Sequence, residues 1–95
     1  MNTSNAVKYF LEYHENNSKR NTIKYYKYIA NQFEKSFGEK ELSSITSEDL
    51  LFFLTNLTVG AKQSTKNGRY TVMKAFFNFF RDTMDINMPN PCNSL

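Results

Sequence analysis

Apolar side chains recur at helical spacing in four separate segments of this chain, and this repetition limits the fold more than any other feature of the sequence. Residues three or four positions apart lie on one face of an α-helix, whereas the faces of a β-strand alternate at every second residue. Residues that favour tight turns are also scarce, because the chain has only three glycines and two prolines. A β-rich fold needs many such turns, so the pattern predicts an all-α domain.

The ends of the four predicted helices carry recognisable signals. Ser4 is a candidate N-cap of the first helix, and Thr46 with Asp49 forms a candidate capping box at the third. Gly38 is expected to follow the second helix in the left-handed conformation, which glycine adopts without steric cost. The predicted helices cover residues 4–15, 19 or 22 to 37, 46–58 and 64–85.

Helical spacing also predicts which side chains fill the core. The predicted core residues are Val7, Phe10, Leu11, His14, Tyr26, Ile29, Ala30, Phe33, Phe37, Leu42, Ile45, Leu50, Phe53, Leu54, Leu57, Met73, Phe76, Phe77, Phe80 and Met84. The aromatic run of the fourth helix extends most of the way round it, so most of the run is expected to be buried. Phe76 and Phe79 lie towards a different side from Phe77, where they could contact a partner.

Basic residues are concentrated in two blocks, Ser18–Lys27 and Lys62–Lys74. The two blocks hold eight of the twelve basic residues and no acidic residue, whereas the rest of the chain holds four basic and nine acidic residues. Two concentrated positive surfaces on a mildly negative body are typical of phosphate binding. The alternative is that both blocks are ordinary solvated helix faces.

Both blocks combine cations with hydroxyl, amide and tyrosine side chains near a helix start. Such groups donate to phosphate oxygens, and arginine and asparagine can also read base edges. Tyr70 is expected to be exposed beside them, and Ser18 and Ser64 are alternatively simple N-caps. The predicted DNA contacts are Lys19, Arg20, Lys24, Tyr25, Lys27, Lys62, Ser64, Thr65, Lys66, Asn67, Arg69 and Lys74.

Catalytic or metal-binding groups are not evident in the sequence. His14 is the single histidine and lies on an apolar stripe, so a structural role is expected. Cys92 is the single cysteine and is expected to lie in a tail without a nucleophilic role. We therefore predict no catalytic residue, metal or cofactor. The N-terminus does not resemble a signal peptide and no apolar run approaches membrane-span length, which favours the cytoplasm.

The order of the motifs along the chain resembles a known family. The residues that carry the resemblance are Phe10-Leu11, Ser18, Thr22, Tyr26, Phe33, Phe37-Gly38, Leu42, Ile45-Thr46, Asp49-Leu50, Ser64-Thr65, Asn67, Arg69, Lys74, Phe76-Phe77 and Asn90-Pro91. Together they are similar to the N-terminal core-binding domain, or SAM-like domain, of tyrosine recombinases, which are also called phage integrases. The resemblance extends from about Ser4 to Leu95.

This resemblance implies an all-α four-helix bundle that clamps one side of double-stranded recombination-site DNA. The second and fourth helices would lie against the major groove and phosphates. A C-terminal domain carries the catalytic residues in that family, so residues 1–88 are predicted to form the core-binding domain and residues 89–95 to begin a linker. Other recombinase subunits on the same DNA are the further expected partners.

Two other functions compete with DNA binding. A helical protein-interaction module would use exposed aromatic side chains, with Phe79 as the predicted contact, and its binding would be insensitive to salt. Peripheral membrane binding through the basic amphipathic helices is the third possibility, although their apolar faces are already needed for the core.

Overall fold

The computed structural model describes residues 1–86, 88 and 90–94. Its α-helices are α1 (Thr3–Asn17), α2 (Arg20–Phe37), α3 (Ser47–Leu57) and α4 (Gln63–Asp82), and short 3-10 helices cover Leu42–Ser44 and Pro91–Ser94. The described residues contain no β-strand, only an isolated antiparallel bridge between Asn2 and Glu41. The predicted all-α class with four α-helices is confirmed. The predicted linker start at Pro89 lies outside the described residues.

The chain divides into two compact units, Met1–Ser44 and Ile45–Leu95. The first unit contains α1, α2 and the Leu42–Ser44 turn, and the second contains α3, α4 and the Pro91–Ser94 turn. Each unit holds one of the two basic blocks. Each block is therefore positioned by a different set of packing contacts.

In the first unit, α1 packs against α2 through small and aromatic side chains. The buried residues of these helices are Thr3, Ala6, Val7, Phe10, Ile29, Ala30 and Phe33. Helix α1 begins earlier than predicted, because its N-cap is Asn2 and not Ser4. Backbone hydrogen bonds from Thr3 to Lys40 and from Leu42 to Met1 hold the chain start in place, and these long-range contacts fix where α1 begins.

Gly38 ends α2 for a different reason than the predicted left-handed turn. Its φ and ψ angles are −54° and −35°, which any residue can adopt. A Cβ atom at this position would lie 2.6 Å from the Glu34 carbonyl oxygen and 2.7 Å from Ser4 Oγ. The Ser4 amide also donates to the Gly38 carbonyl, at 3.0 Å. Glycine is needed because a side chain would clash with the Glu34 carbonyl of the same helix and with Ser4 of α1.

In the second unit, the predicted capping box begins α3. Thr46 Oγ1 accepts from the Asp49 amide at 3.1 Å, and the Asp49 carboxylate accepts from the Thr46 amide at 3.0 Å. Helix α4 ends at Asp82, earlier than the predicted Asp85. Asp85 adopts a φ of 53°, and the Ile86 amide donates to the Phe80 carbonyl at 2.8 Å. Aspartate tolerates this left-handed conformation, so the chain turns there.

The aromatic run of α4 is buried almost throughout. Phe76, Phe77 and Phe80 are at most 1% exposed, and Phe79 is 8% exposed. Phe76 and Phe79 are therefore unavailable to a partner, and the prediction that they face one is wrong. The prediction that most of this run is buried is confirmed, and the burial includes Phe76 and Phe79 because α4 buries more than one side of its C-terminal half.

Candidate nucleic-acid interface

The first basic block is exposed at the N-terminal end of α2. We call it the α2 surface, and its residues are Lys19, Arg20, Lys24, Tyr25 and Lys27, all exposed. Ile29, Ala30 and Phe33 are buried along the other side of the same helix. Because the buried stripe runs along α2, the cations are directed towards solvent.

Most of the positive charge on the α2 surface is not neutralised by a carboxylate. Lys27 Nζ lies 3.7 Å from Glu15 Oε1, and no other cation of this surface forms an ion pair within the described residues. Ser18, Arg20, Lys24 and Lys27 border a shallow concave area beside this pair. The arrangement offers several cations to one anionic chain.

The exposed polar face of α2 continues beyond the predicted block. Tyr28, Asn31 and Lys35 are exposed, and Asn31 and Lys35 follow Lys24 and Lys27 at helical spacing. The predicted block ends at Lys27, and Lys35 lies beyond Glu34, which closes the acid-free stretch of the sequence. Helical spacing from Lys24 and Lys27 is the sequence feature that would have placed Lys35 on this surface.

The second basic block forms a surface on the first turns of α4, which we call the α4 surface. Its exposed residues are Lys62, Ser64, Lys66, Asn67 and Lys74, whereas Thr65 is half-buried. Gln63 Nε2 donates to Asn67 Oδ1 at 3.0 Å, which leaves the Asn67 amide group as a donor. Within the described residues, none of the lysines at this surface pairs with a carboxylate.

Two members of the second block point inward. Arg69 Nη1 donates to the Leu57 carbonyl at the end of α3, and the side chain is half-buried. Tyr70 is also half-buried, and its hydroxyl donates to the Cys92 carbonyl at 2.9 Å. The predicted exposure of Tyr70 is wrong, because its hydroxyl bonds to a distant segment of the chain. Arg69 has a structural contact, and its contact with DNA stays a prediction.

The N-termini of the two basic helices lack side-chain caps. The N-cap residues are Lys19 for α2 and Lys62 for α4, and neither makes a capping hydrogen bond. The alternative in which Ser18 and Ser64 are N-caps is therefore wrong. Helices α1 and α3 are both capped by side chains. The first amide groups of α2 and α4 are accordingly available to an anion.

His14 lies at the end of α1, beside the start of the α2 surface. Its ring centroid is 4.5 Å from that of Phe10, 5.1 Å from Tyr13 and 4.7 Å from Tyr26. Nδ1 is 2.6 Å from Ser18 Oγ. Burial lowers the pKa of the imidazole below its usual 6.5. These contacts give His14 a packing role between α1 and α2.

Cys92 is buried and does not lie in an exposed tail. Burial raises the pKa of its thiol to about 12, so the reactive thiolate is scarce at neutral pH. In the part of the chain that the structure describes, no group of three or more His, Cys, Asp or Glu side chains could hold a metal ion.

None of the helices that the structure describes combines the length and the hydropathy that a bilayer crossing requires.

A comparison with known protein families matches the part of the chain that holds the first three helices. The family described as phage integrase, N-terminal SAM-like domain, matches residues 4–57, which is more than half of the chain. The match includes the α2 surface and ends at the last residue of α3, before the α4 surface. No curated protein and no solved structure matches this chain. Because the match covers more than half of the chain, with all of α2 and α3 and α1 from its second residue, the chain belongs to the family of phage integrase N-terminal SAM-like domains.

Proposed function

We propose that this chain binds double-stranded DNA through the α2 surface and the α4 surface, as the DNA-binding domain of a site-specific tyrosine recombinase. Its family supports a recombinase-related role, and its exposed cations support nucleic acid as the partner. In this proposal a C-terminal catalytic domain cleaves and rejoins the strands. The chain itself acts in the cytoplasm without a cofactor and positions that domain on the DNA.

The observation that carries the proposal is the gathering of exposed cations at two uncapped helix N-termini. A lysine at the N-cap is electrostatically unfavourable, because the start of a helix already carries a partial positive charge. Lys19 and Lys62 both occupy that position. A DNA phosphate at each site would accept from the free amides and also neutralise the nearby lysines.

The chemistry of the two surfaces favours phosphate contacts over base contacts. Lysines, which dominate both surfaces, neutralise phosphate without reading sequence. Arg20 and Asn67 are the residues best suited to base edges, because an arginine can bond guanine and an asparagine can bond adenine. We therefore expect weak binding by this chain alone and a modest sequence preference.

The proposal is tested by fluorescence anisotropy of a labelled duplex of about 20–30 base pairs, titrated with the protein from about 50 to about 200 mM salt. The logarithm of the association constant should fall linearly with the logarithm of the salt concentration, with a slope of about −0.9 for each neutralised phosphate. An absence of binding even at the lowest salt concentration would overturn the proposal. Binding that does not change with salt would exclude phosphate contacts as its source.

A second candidate function is protein interaction, and a specific surface of α3 favours it. Leu51 is 56% exposed, Phe52 is 70% exposed and Val59, just beyond α3, is 79% exposed. These side chains replace Phe79 as the candidate contacts, because Phe79 is buried. On this reading the partner is another recombinase subunit on the same DNA. Sedimentation velocity of the protein without DNA should then show self-association that Phe52→Ser removes and that salt leaves unchanged.

A further inference from the structure

The segment Asn90–Ser94, which we call the strap, is packed onto the second unit. Its 3-10 helix contacts both α3 and α4. Asn90 is 8% exposed and Cys92 is fully buried. These residues were predicted to begin an interdomain linker, and that domain boundary stays a prediction. The packing of the strap nevertheless makes it part of the second unit.

Asn90 uses both ends of its amide to hold the strap on α4. Its Nδ2 donates to Asn78 Oδ1 at 2.8 Å and to the Lys74 carbonyl at 3.2 Å. Its Oδ1 accepts from the Cys92 amide at 2.9 Å. An alanine at this position would lose all three bonds. The same side chain thus folds the strap and attaches it to the helix.

Tyr70 and Ser47 hold the strap at two further points. The Tyr70 hydroxyl donates to the Cys92 carbonyl at 2.9 Å, from α4. Ser47 Oγ donates to the Pro91 carbonyl at 2.7 Å, from the first turn of α3. The strap therefore bridges the start of α3 and the middle of α4.

The attachment points on α4 adjoin the α4 surface. Tyr70 lies one turn after Lys66 and Asn67, and the Lys74 carbonyl lies one turn further on. Arg69, next to Tyr70, bonds to the Leu57 carbonyl. The N-terminal half of α4 is thus held by α3 through Arg69 and by the strap through Tyr70.

We propose, on the basis of the proposed function, that the strap positions α4 for DNA, with Tyr70 and Asn90 as positioning residues that do not contact the DNA. A docked strap holds Lys66 and Asn67 in their binding orientation, and an undocked strap releases them. If only the docked form binds, the apparent Kd equals the intrinsic Kd divided by the docked fraction. DNA must in turn favour docking by the same factor, because linked equilibria are reciprocal.

Cys92 provides the probe for docking, because it is the single cysteine of the chain, belongs to the strap and is buried when the strap is docked. Its rate of reaction with a thiol reagent, relative to the rate in denaturant, gives the undocked fraction. The double variant Tyr70→Phe with Asn90→Ala is compared with the wild type, and circular dichroism checks that the helices persist. Tyr9→Phe is the matched control, since it removes the hydroxyl of an exposed tyrosine in the first unit.

In the double variant we expect faster thiol reaction and a Kd for the duplex that rises by the inverse of the docked fraction, about tenfold if one molecule in ten is docked. In the wild type, saturating duplex should slow the thiol reaction, a measurement that needs no variant. Tyr9→Phe should change neither quantity.

A lower docked fraction with unchanged Kd would overturn the inference and leave the proposed function intact. An unchanged docked fraction would overturn it too, because these bonds would then not hold the strap. Failure of the wild type itself to bind duplex would instead remove the proposed function, and the positioning role with it.

Discussion

The two basic helices have similar composition but different structural roles. On α2, the predicted cations are all exposed along a helix whose opposite face is buried. On α4, three lysines are exposed in a similar way, whereas Arg69 bonds to α3 and its neighbour Tyr70 bonds to the strap. A basic block therefore does not define a binding surface by itself. On α4, part of the block holds the helix in place for the rest.

The difference follows from where each apolar stripe begins. Helix α2 packs through Ile29, Ala30 and Phe33, and its basic residues occupy the opposite face. Helix α4 has its fully buried residues only from Val72 onward. Its first turns therefore depend on polar contacts, and the side chains that supply them come from the basic block.

The largest expected difference between the two blocks is in stability. Arg69→Ala should lower the free energy of unfolding by about 1–3 kcal/mol, because the Leu57 carbonyl loses a donor in a part-buried site. Arg20→Ala should change it by less than about 0.5 kcal/mol, since Arg20 is exposed. Urea denaturation measures both. If the two variants lower the free energy of unfolding equally, Arg69 has no larger structural role than Arg20.

The next test gives α2 and α4 the side-chain caps that they lack. Lys62 has φ and ψ angles of −66° and 156°, the extended conformation typical of an N-cap. Lys62→Asp should stabilise the protein by about 0.5–2 kcal/mol, because the carboxylate accepts from the free amides. The same change should weaken duplex binding by placing a negative charge at the proposed phosphate site. Lys19→Asp is the equivalent variant of α2. If either variant gains stability without losing duplex affinity, the N-terminus of that helix does not contact the DNA.

A smaller effect is expected for single lysines. Lys24→Ala and Lys66→Ala should each reduce duplex affinity several-fold and flatten the salt slope by about 0.9, because each removes one phosphate contact. Lys8→Ala is the control, because Lys8 is exposed on α1 outside both surfaces. Anisotropy titrations at several salt concentrations give both quantities. If only Lys24→Ala changes the duplex affinity and the salt slope, the DNA contacts the α2 surface and not the α4 surface.

The smallest expected effect is a pH dependence confined to the first unit. The folded His14 has a lowered pKa, so the unfolded chain binds more protons as the pH falls below about 6.5. Stability is then fully present above that pH and declines as the pH falls through the folded pKa. Urea denaturation at about pH 7.5 and about pH 5.5 should show the decline, and His14→Gln should reduce it. An equal decline in the variant would assign the pH dependence to other groups.

Local rules predicted most of the fold. Four helices, the Thr46 capping box and most of the core follow from side-chain spacing and capping chemistry, which operate within one or two turns. The family membership was also evident from the order of motifs, and it is confirmed over residues 4–57. For the site, the sequence indicated two basic blocks, and the structure exposes most of their members.

Long-range contacts decided the rest. The need for glycine at position 38 comes in part from the approach of Ser4, and the Tyr70 hydroxyl bonds to the Cys92 carbonyl. Neither partner is near in the sequence, so no local pattern contains the information. The sequence by itself determined the helices, their apolar faces and the concentration of charge, because these depend on neighbours within a few residues. Only the tertiary structure decided which members of each basic block face solvent and which hold α4, because that depends on segments that folding brings together.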